Sequence, residues 1–128
     1  MAPERSVLIV DRSEETREVL KMALERRGLR ILATGGKRRG LELAREHRPD
    51  LIVLDLELED SAPEEIYAPF VQQSRASRST MVFLGNRRRK SQSLSEGEFV
   101  SKPYHYGPLV RKIEELLDAT GQTLARSA

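Results

Sequence analysis

Polar residues dominate this chain, and short apolar runs interrupt them at intervals that define its elements. Ser6-Val7-Leu8-Ile9-Val10 is a continuous run rich in β-branched residues, and Leu51-Ile52-Val53-Leu54 and Met81-Val82-Phe83-Leu84 repeat it. Runs without alternation read as strands buried on both faces. The expected strands lie near Arg5–Val10, Leu29–Ala33, Leu51–Leu54, Met81–Leu84 and Glu98–Val100. Between them the spacing is helical. Thr16, Val19, Leu20, Ala23 and Leu24 share one stripe. Ser13 is placed to cap that helix, Glu14 and Glu15 favour its first turn, and Gly28 suits its end. Gly35-Gly36 marks a turn into a second helix with Leu41, Ala44 and His47 inward, closed by Pro49. Pro63 opens a third, with Ile66, Phe70 and Gln73 on one face, and Pro69 is expected to interrupt it. Asn86 to Glu96 is polar around a single Leu94, a poor helix and the expected most mobile segment. Leu109, Val110, Ile113, Leu116 and Leu117 make a strongly periodic last helix.

Strands alternating with helices predict right-handed crossovers and a doubly wound α/β fold, with a five-stranded parallel sheet flanked by about five helices. No repeat or linker divides the chain. Residues 1–120 are read as one domain and residues 121–128 as a flexible polar tail. The 128 residues fit one domain. The absence of cysteine excludes disulfides, thiol catalysis and cysteine-type zinc sites. The two histidines, His47 and His105, are too far apart to form a short-range metal motif and are expected to be structural or solvent-facing. No apolar run is long enough to span a bilayer and no secretory leader precedes the first strand, so a cytoplasmic location is expected. Basic residues number 22 and acidic residues 20, a formal charge of +2, which is too small to make the whole molecule a nucleic-acid magnet. The charge clusters locally, in Lys37-Arg38-Arg39 and Arg87-Arg88-Arg89-Lys90, both expected to be solvated faces.

In doubly wound sheets, ligands bind at the carboxyl ends of the strands. Those ends carry Asp11-Arg12, Asp55-Leu56-Glu57, Gly85-Asn86 and Lys102. Two carboxylates and a lysine converging there suit a divalent cation and a phosphoryl group, and a carboxylate is itself a competent phosphoryl acceptor. The chain resembles the receiver domains of two-component response regulators, which have a flavodoxin-like fold. Val7-Leu8-Ile9-Val10-Asp11 is similar to that family's first strand and acidic site. Arg48-Pro49-Asp50-Leu51-Ile52-Val53-Leu54-Asp55 is similar to its third strand and phosphoacceptor, and Phe99-Val100-Ser101-Lys102-Pro103-Tyr104 to its fifth strand, lysine and proline. The likeness covers roughly Arg5 to Ala119. It implies Asp55 as phosphoacceptor, Lys102 as phosphate partner, Phe99 as the mobile aromatic, and a magnesium site.

The departures matter as much. The family's second acid after the first strand, which the resemblance implies is a metal ligand, is Arg12 here. The serine or threonine that ends its fourth strand is Gly85. The loop after Asp55 lacks the usual proline and glycine. Asp11 and Asp55 set against Arg12 and Lys102 sum to about zero, so the Arg12 side chain is expected to take the electrostatic part of a metal ion by bonding Asp55 or Asp11. Of the potential metal ligands Asp11, Asp55 and Glu57, Glu57 offers a substitute for the missing acid, and magnesium binding is expected to be weak or absent.

Three functions compete. In the first, a phosphorelay receiver accepts phosphate at Asp55 from a sensor histidine kinase or phosphotransfer protein. In the second, a pseudo-receiver docks proteins without phosphorylation. The third, a basic accessory protein meeting nucleic acid through Arg87–Lys90, is weakest, because no aromatic residues interleave the basic ones. An enzyme is not expected, since the acidic loop after the first strand would repel a flavin phosphate. The output partner is expected at the last strand and helix, with Tyr104 and Tyr106. Homodimerisation is open, and the chain is either stand-alone or a fragment.

Overall fold

A computed structural model describes residues 4–86 and 97–127. The elements follow in the order β1 (Ser6–Val10), α1 (Glu14–Glu25), β2 (Arg30–Thr34), α2 (Lys37–His47), β3 (Leu51–Asp55), α3 (Pro63–Ser77), β4 (Thr80–Asn86), β5 (Gly97–Lys102) and α4 (Tyr106–Ser127). All five strands are parallel, in the order β2-β1-β3-β4-β5. The strand order reverses between β1 and β3, and this is where a doubly wound sheet opens a crevice.

Period-2 alternation sorts the strand side chains into two cores. Leu8, Val10, Ile52, Leu54, Met81 and Phe83 pack with Leu43 and Ala44 of α2 and Ile66, Phe70 and Val71 of α3. Val7, Ile9, Leu51, Val53, Val82 and Leu84 pack with Leu20 and Leu24 of α1 and Leu109, Val110, Ile113 and Leu117 of α4. Both faces are covered, which is why the strands read as unbroken apolar runs rather than alternating ones. The α1 cap forms as the sequence predicts: the Ser13 hydroxyl accepts from the Thr16 amide at 3.1 Å. Gly28 takes the left-handed conformation at φ +84° that a side chain would resist.

Three expectations are corrected. Pro69 does not interrupt α3, which continues from Pro63 to Ser77. A proline at position 69 leaves the carbonyl of Glu65 without its helical donor, and the Lys37 ammonium, from the start of α2, donates to that oxygen at 2.9 Å. His47 faces solvent beside Glu46, because the inward stripe of Gly40, Leu43 and Ala44 runs out at the last turn, where Arg48 adopts φ 46°. The last helix extends through residues 121–127, where a tail was expected. Gln, Leu, Ala and Arg favour helix there, and one glycine costs only about 1 kcal/mol. The described residues form four helices. The poor helix and the mobility expected after Asn86, and the basic run Arg87–Lys90, lie outside the described residues.

The Lys37 contact gives a double-mutant test. Lys37→Met should lower unfolding stability by about 1 kcal/mol, the net worth of such a hydrogen bond. In a Pro69→Ala background the loss should vanish, because residue 69 then donates its own N–H to Glu65. Urea denaturation of the four proteins measures the coupling, and equal losses in both backgrounds would remove the compensating role.

Candidate functional site

Strands β1 and β3 are neighbours, so the acids that follow their apolar runs meet. Asp11 continues the alternation of Val7 and Ile9, Asp55 that of Leu51 and Val53, and Lys102 that of Val100. All three therefore emerge on the α1/α4 side of the sheet. Asp11 is 3% exposed and Asp55 is 2% exposed. Buried carboxylates demand partners. Asp55 Oδ1 accepts from Lys102 Nζ at 2.7 Å and from the Glu57 amide at 2.9 Å, and Oδ2 accepts from the Arg12 amide at 3.2 Å. Lys102 Nζ also donates to Glu57 Oε1 at 3.0 Å. Asp11 Oδ1 accepts from the Ser13 amide at 2.8 Å.

Burial pushes the Asp11 carboxyl up to about 6, and the Asp55 charge adds to the push, against the Ser13 hydrogen bond and the charges of Lys102 and Arg17. Burial works against the Lys102 ammonium, but its hydrogen bonds to Asp55 and Glu57 prevail and hold its pKa above the ordinary lysine value. Burial, with a contribution from the Asp11 charge, pushes the Tyr104 phenol up to about 12.

The structure brings Asp11, Asp55, Glu57 and Lys102 together. The Arg12 side chain does not join them. It stands exposed at the rim, and only its backbone amide reaches Asp55. The loop after β1 brings the Arg12 amide, not its guanidinium, into hydrogen-bonding contact with Asp55. Lys102 bonds two carboxylates, Asp55 and Glu57. Glu57 turns onto that lysine. Among the described residues, no group of three His, Asp or Glu side chains is arranged to hold a metal ion; Asp11 and Asp55 are the two carboxylates that would hold the magnesium that the fold family implies, with water completing its shell.

Gly85 and Phe99 fall on the other face of the sheet. Phe99 pairs with Phe83 in register and packs, half-buried, against the α2/α3 core. A Cβ at Gly85 would lie 3.2 Å from Leu56 Cβ, so Leu56 occupies the space beside that strand end. Three contributors escape the sequence reading. Leu56 is one. Another is Arg17, whose Nη1 donates to the carbonyls of Asp11 at 2.6 Å and Arg12 at 3.3 Å and fixes the loop after β1. Its signal was Gly35, where a Cβ would stand 2.6 Å from Arg17 Nη1. The third is Thr16, whose hydroxyl meets the Tyr106 hydroxyl at 3.2 Å. A pocket of ≈ 790 Å³ lies over Asp11 and Asp55, walled by Pro103, Tyr104 and Tyr106. The Lys102–Pro103 peptide is cis.

A doubly wound parallel sheet that gathers two strand-end aspartates and a strand-end lysine at its reversal point defines the receiver class of signalling domain. The family model for the response regulator receiver domain matches residues 7–114, and the chain belongs to that family. It is 31% identical over 125 residues to the KDP operon transcriptional regulatory protein KdpE of Escherichia coli, covering 94% of this chain and 54% of that protein. It is 36% identical over 62 residues to the polar-differentiation response regulator DivK of Brucella anthropi, covering 48% of this chain and 50% of that protein. The chain thus spans about half the length of these curated relatives. Among solved structures, the fold matches chemotaxis protein CheY4 of Vibrio cholerae at TM-score 0.74 and 19% identity, over 88% of this chain and 98% of that one. It also matches a response regulator of Thermotoga maritima at TM-score 0.74 and 19% identity, over 91% and 99%. Among the described residues, no helix is long and apolar enough to cross a membrane.

The raised Asp11 pKa predicts a pH-dependent cost. The unfolded carboxyl ionises near 3.8, whereas the folded one keeps its proton to about 6. The folded state therefore binds more protons in that window, and stability falls as pH rises through it. Asp11→Asn, which keeps the acceptor for Ser13, should be more stable than the parent at pH 7 by about 1–3 kcal/mol, given about 1.4 kcal/mol per pKa unit. The difference should shrink to nothing near pH 4. Denaturation across pH 4–8 checks this, and a pH-independent difference would show that Asp11 titrates normally.

Proposed function

We propose that this receiver domain is a pseudo-receiver: a protein-docking module whose output does not depend on phosphorylation of Asp55. The observation that carries the reading is the end of β4. A phosphoryl group at Asp55 needs a nearby hydroxyl to communicate its arrival to the far face of the sheet. Gly85 has none, and Leu56 packs into that space. A ligand shifts a conformational equilibrium only through contacts that differ between the two states. Without that contact Phe99 stays in its core position whatever happens at Asp55. The oxygens of Asp55 are moreover already taken by Lys102 and two backbone amides, and Arg12 stands where the resemblance implies a further acidic metal ligand.

Receiver domains work with histidine kinases or phosphotransfer proteins and with output domains. For this chain the docking surface is β5 and α4 with Tyr104 and Tyr106, in one constitutive form, and the protein acts in the cytoplasm without enzymatic turnover. The 2.7 Å contact between Lys102 and Asp55 favours the second reading, in which Asp55 still accepts phosphate and Lys102 steadies it.

Acetyl phosphate with and without magnesium, read by intact mass, separates the two. The expected result is no phosphoryl adduct and no shift of the Phe99 resonances with a beryllofluoride reagent. A stoichiometric, magnesium-dependent adduct accompanied by movement of Phe99 would establish the second reading. In calorimetry the parent should show weak or no magnesium binding, and Arg12→Asp should create it. Tight binding by the parent would point to Glu57 as a working ligand.

A further inference from the structure

We propose that the pocket over Asp11 receives the guanidinium group of an arginine presented by a partner protein. The inference rests on the docking-module reading and names the chemistry of what docks.

Asp11 and Asp55 are equally buried but differently satisfied. Both oxygens of Asp55 have donors. Asp11 Oδ1 accepts from Ser13, whereas Oδ2 accepts from no described residue. No fully buried side-chain nitrogen or oxygen among the described residues lacks a partner, so Oδ2 opens into the pocket that Asp11 lines. The protein's own cations are committed or turned away. Lys102 is held between Asp55 and Glu57, the Arg17 guanidinium is spent on backbone carbonyls, and the Arg12 side chain stands at the rim. A buried carboxylate left with one acceptor facing a pocket is an uncompensated charge, and an incoming cation would compensate it.

The walls choose among cations. A divalent ion would have to draw most of its oxygens from water here, since among the described residues no third acid is arranged with Asp11 and Asp55. One side of the pocket is instead Pro103, Tyr104 and Tyr106, the two rings packed edge to face with centroids 6.0 Å apart. A weakly hydrated, planar guanidinium is suited to lie against aromatic rings while donating to a carboxylate, and an ammonium is less so. The volume of ≈ 790 Å³ admits a side chain with its flanking backbone.

The test titrates the isotope-labelled full chain with acetyl-Gly-Arg-Gly-amide, its Lys and Ala analogues, and magnesium chloride, following amide resonances. The Arg peptide should produce saturable shifts centred on Arg12, Ser13, Tyr104 and Tyr106. Its affinity should fall about tenfold in Asp11→Asn, the worth of one charge-assisted contact. Tyr104→Leu should weaken binding too, Tyr104→Phe should retain it, and the Ala peptide should shift nothing. Because each variant is read on its own dispersed spectrum, misfolding of one leaves the other to decide. No saturable shift, equal affinity in Asp11→Asn, equal affinity for the Lys peptide, or the same shifts with magnesium would each overturn the proposal. An Asp55 adduct from acetyl phosphate with the Arg titration intact would sink the docking-module reading alone. A failed titration without any adduct would sink only this inference.

Discussion

Two carboxylates are held almost out of water at the ends of adjacent strands, and the rest of the site is arranged around that burden. An isolated buried carboxylate is untenable, so each must find donors within reach. For Asp55 they come from three directions: β5 through Lys102, the loop after β1 through the Arg12 amide, and its own loop through the Glu57 amide. Those contacts tie together the carboxyl ends of β1 and β3, which flank the reversal in strand order, and of the edge strand β5. Asp11 is less well provided. Its elevated pKa records the shortfall, and Arg17 steadies the loop around it without touching the carboxylate.

The alternation of side chains across the sheet then divides the labour between two faces. Asp11, Asp55 and Lys102 share the side covered by α1 and α4, while Gly85 and Phe99 lie on the side covered by α2 and α3. Gly85 presents no side chain at the end of β4 on that second side.

Much of this was legible in the sequence. Unbroken β-branched runs gave the parallel, doubly covered sheet, and the residues ending those runs gave Asp11, Asp55 and Lys102. Boundaries slipped by a residue or two, as at β2 and β5, because pairing with a neighbour and not apolar content decides where a strand stops. Pro69 misled because its remedy, Lys37, is 32 residues away in the chain and reaches the site only through tertiary packing. Arg12 misled for a different reason. Residue type suggested an ion pair, but the contact that forms is from its backbone amide to Asp55, which residue type does not encode. Glu57 stands near the site as expected, and its bond to Lys102 depends on side-chain geometry that spacing does not encode.

The packing of Leu56 against Gly85 also bears on how such a domain changes over generations. Restoring a hydroxyl at position 85 by one substitution would press a new Cβ against Leu56 at 3.2 Å, so the gain would come with a disturbed core. Shrinking Leu56 first would leave a void with nothing to fill it. A side chain at residue 85 is accommodated only if Leu56 yields by a few tenths of an ångström, which ties the identities of the two positions together.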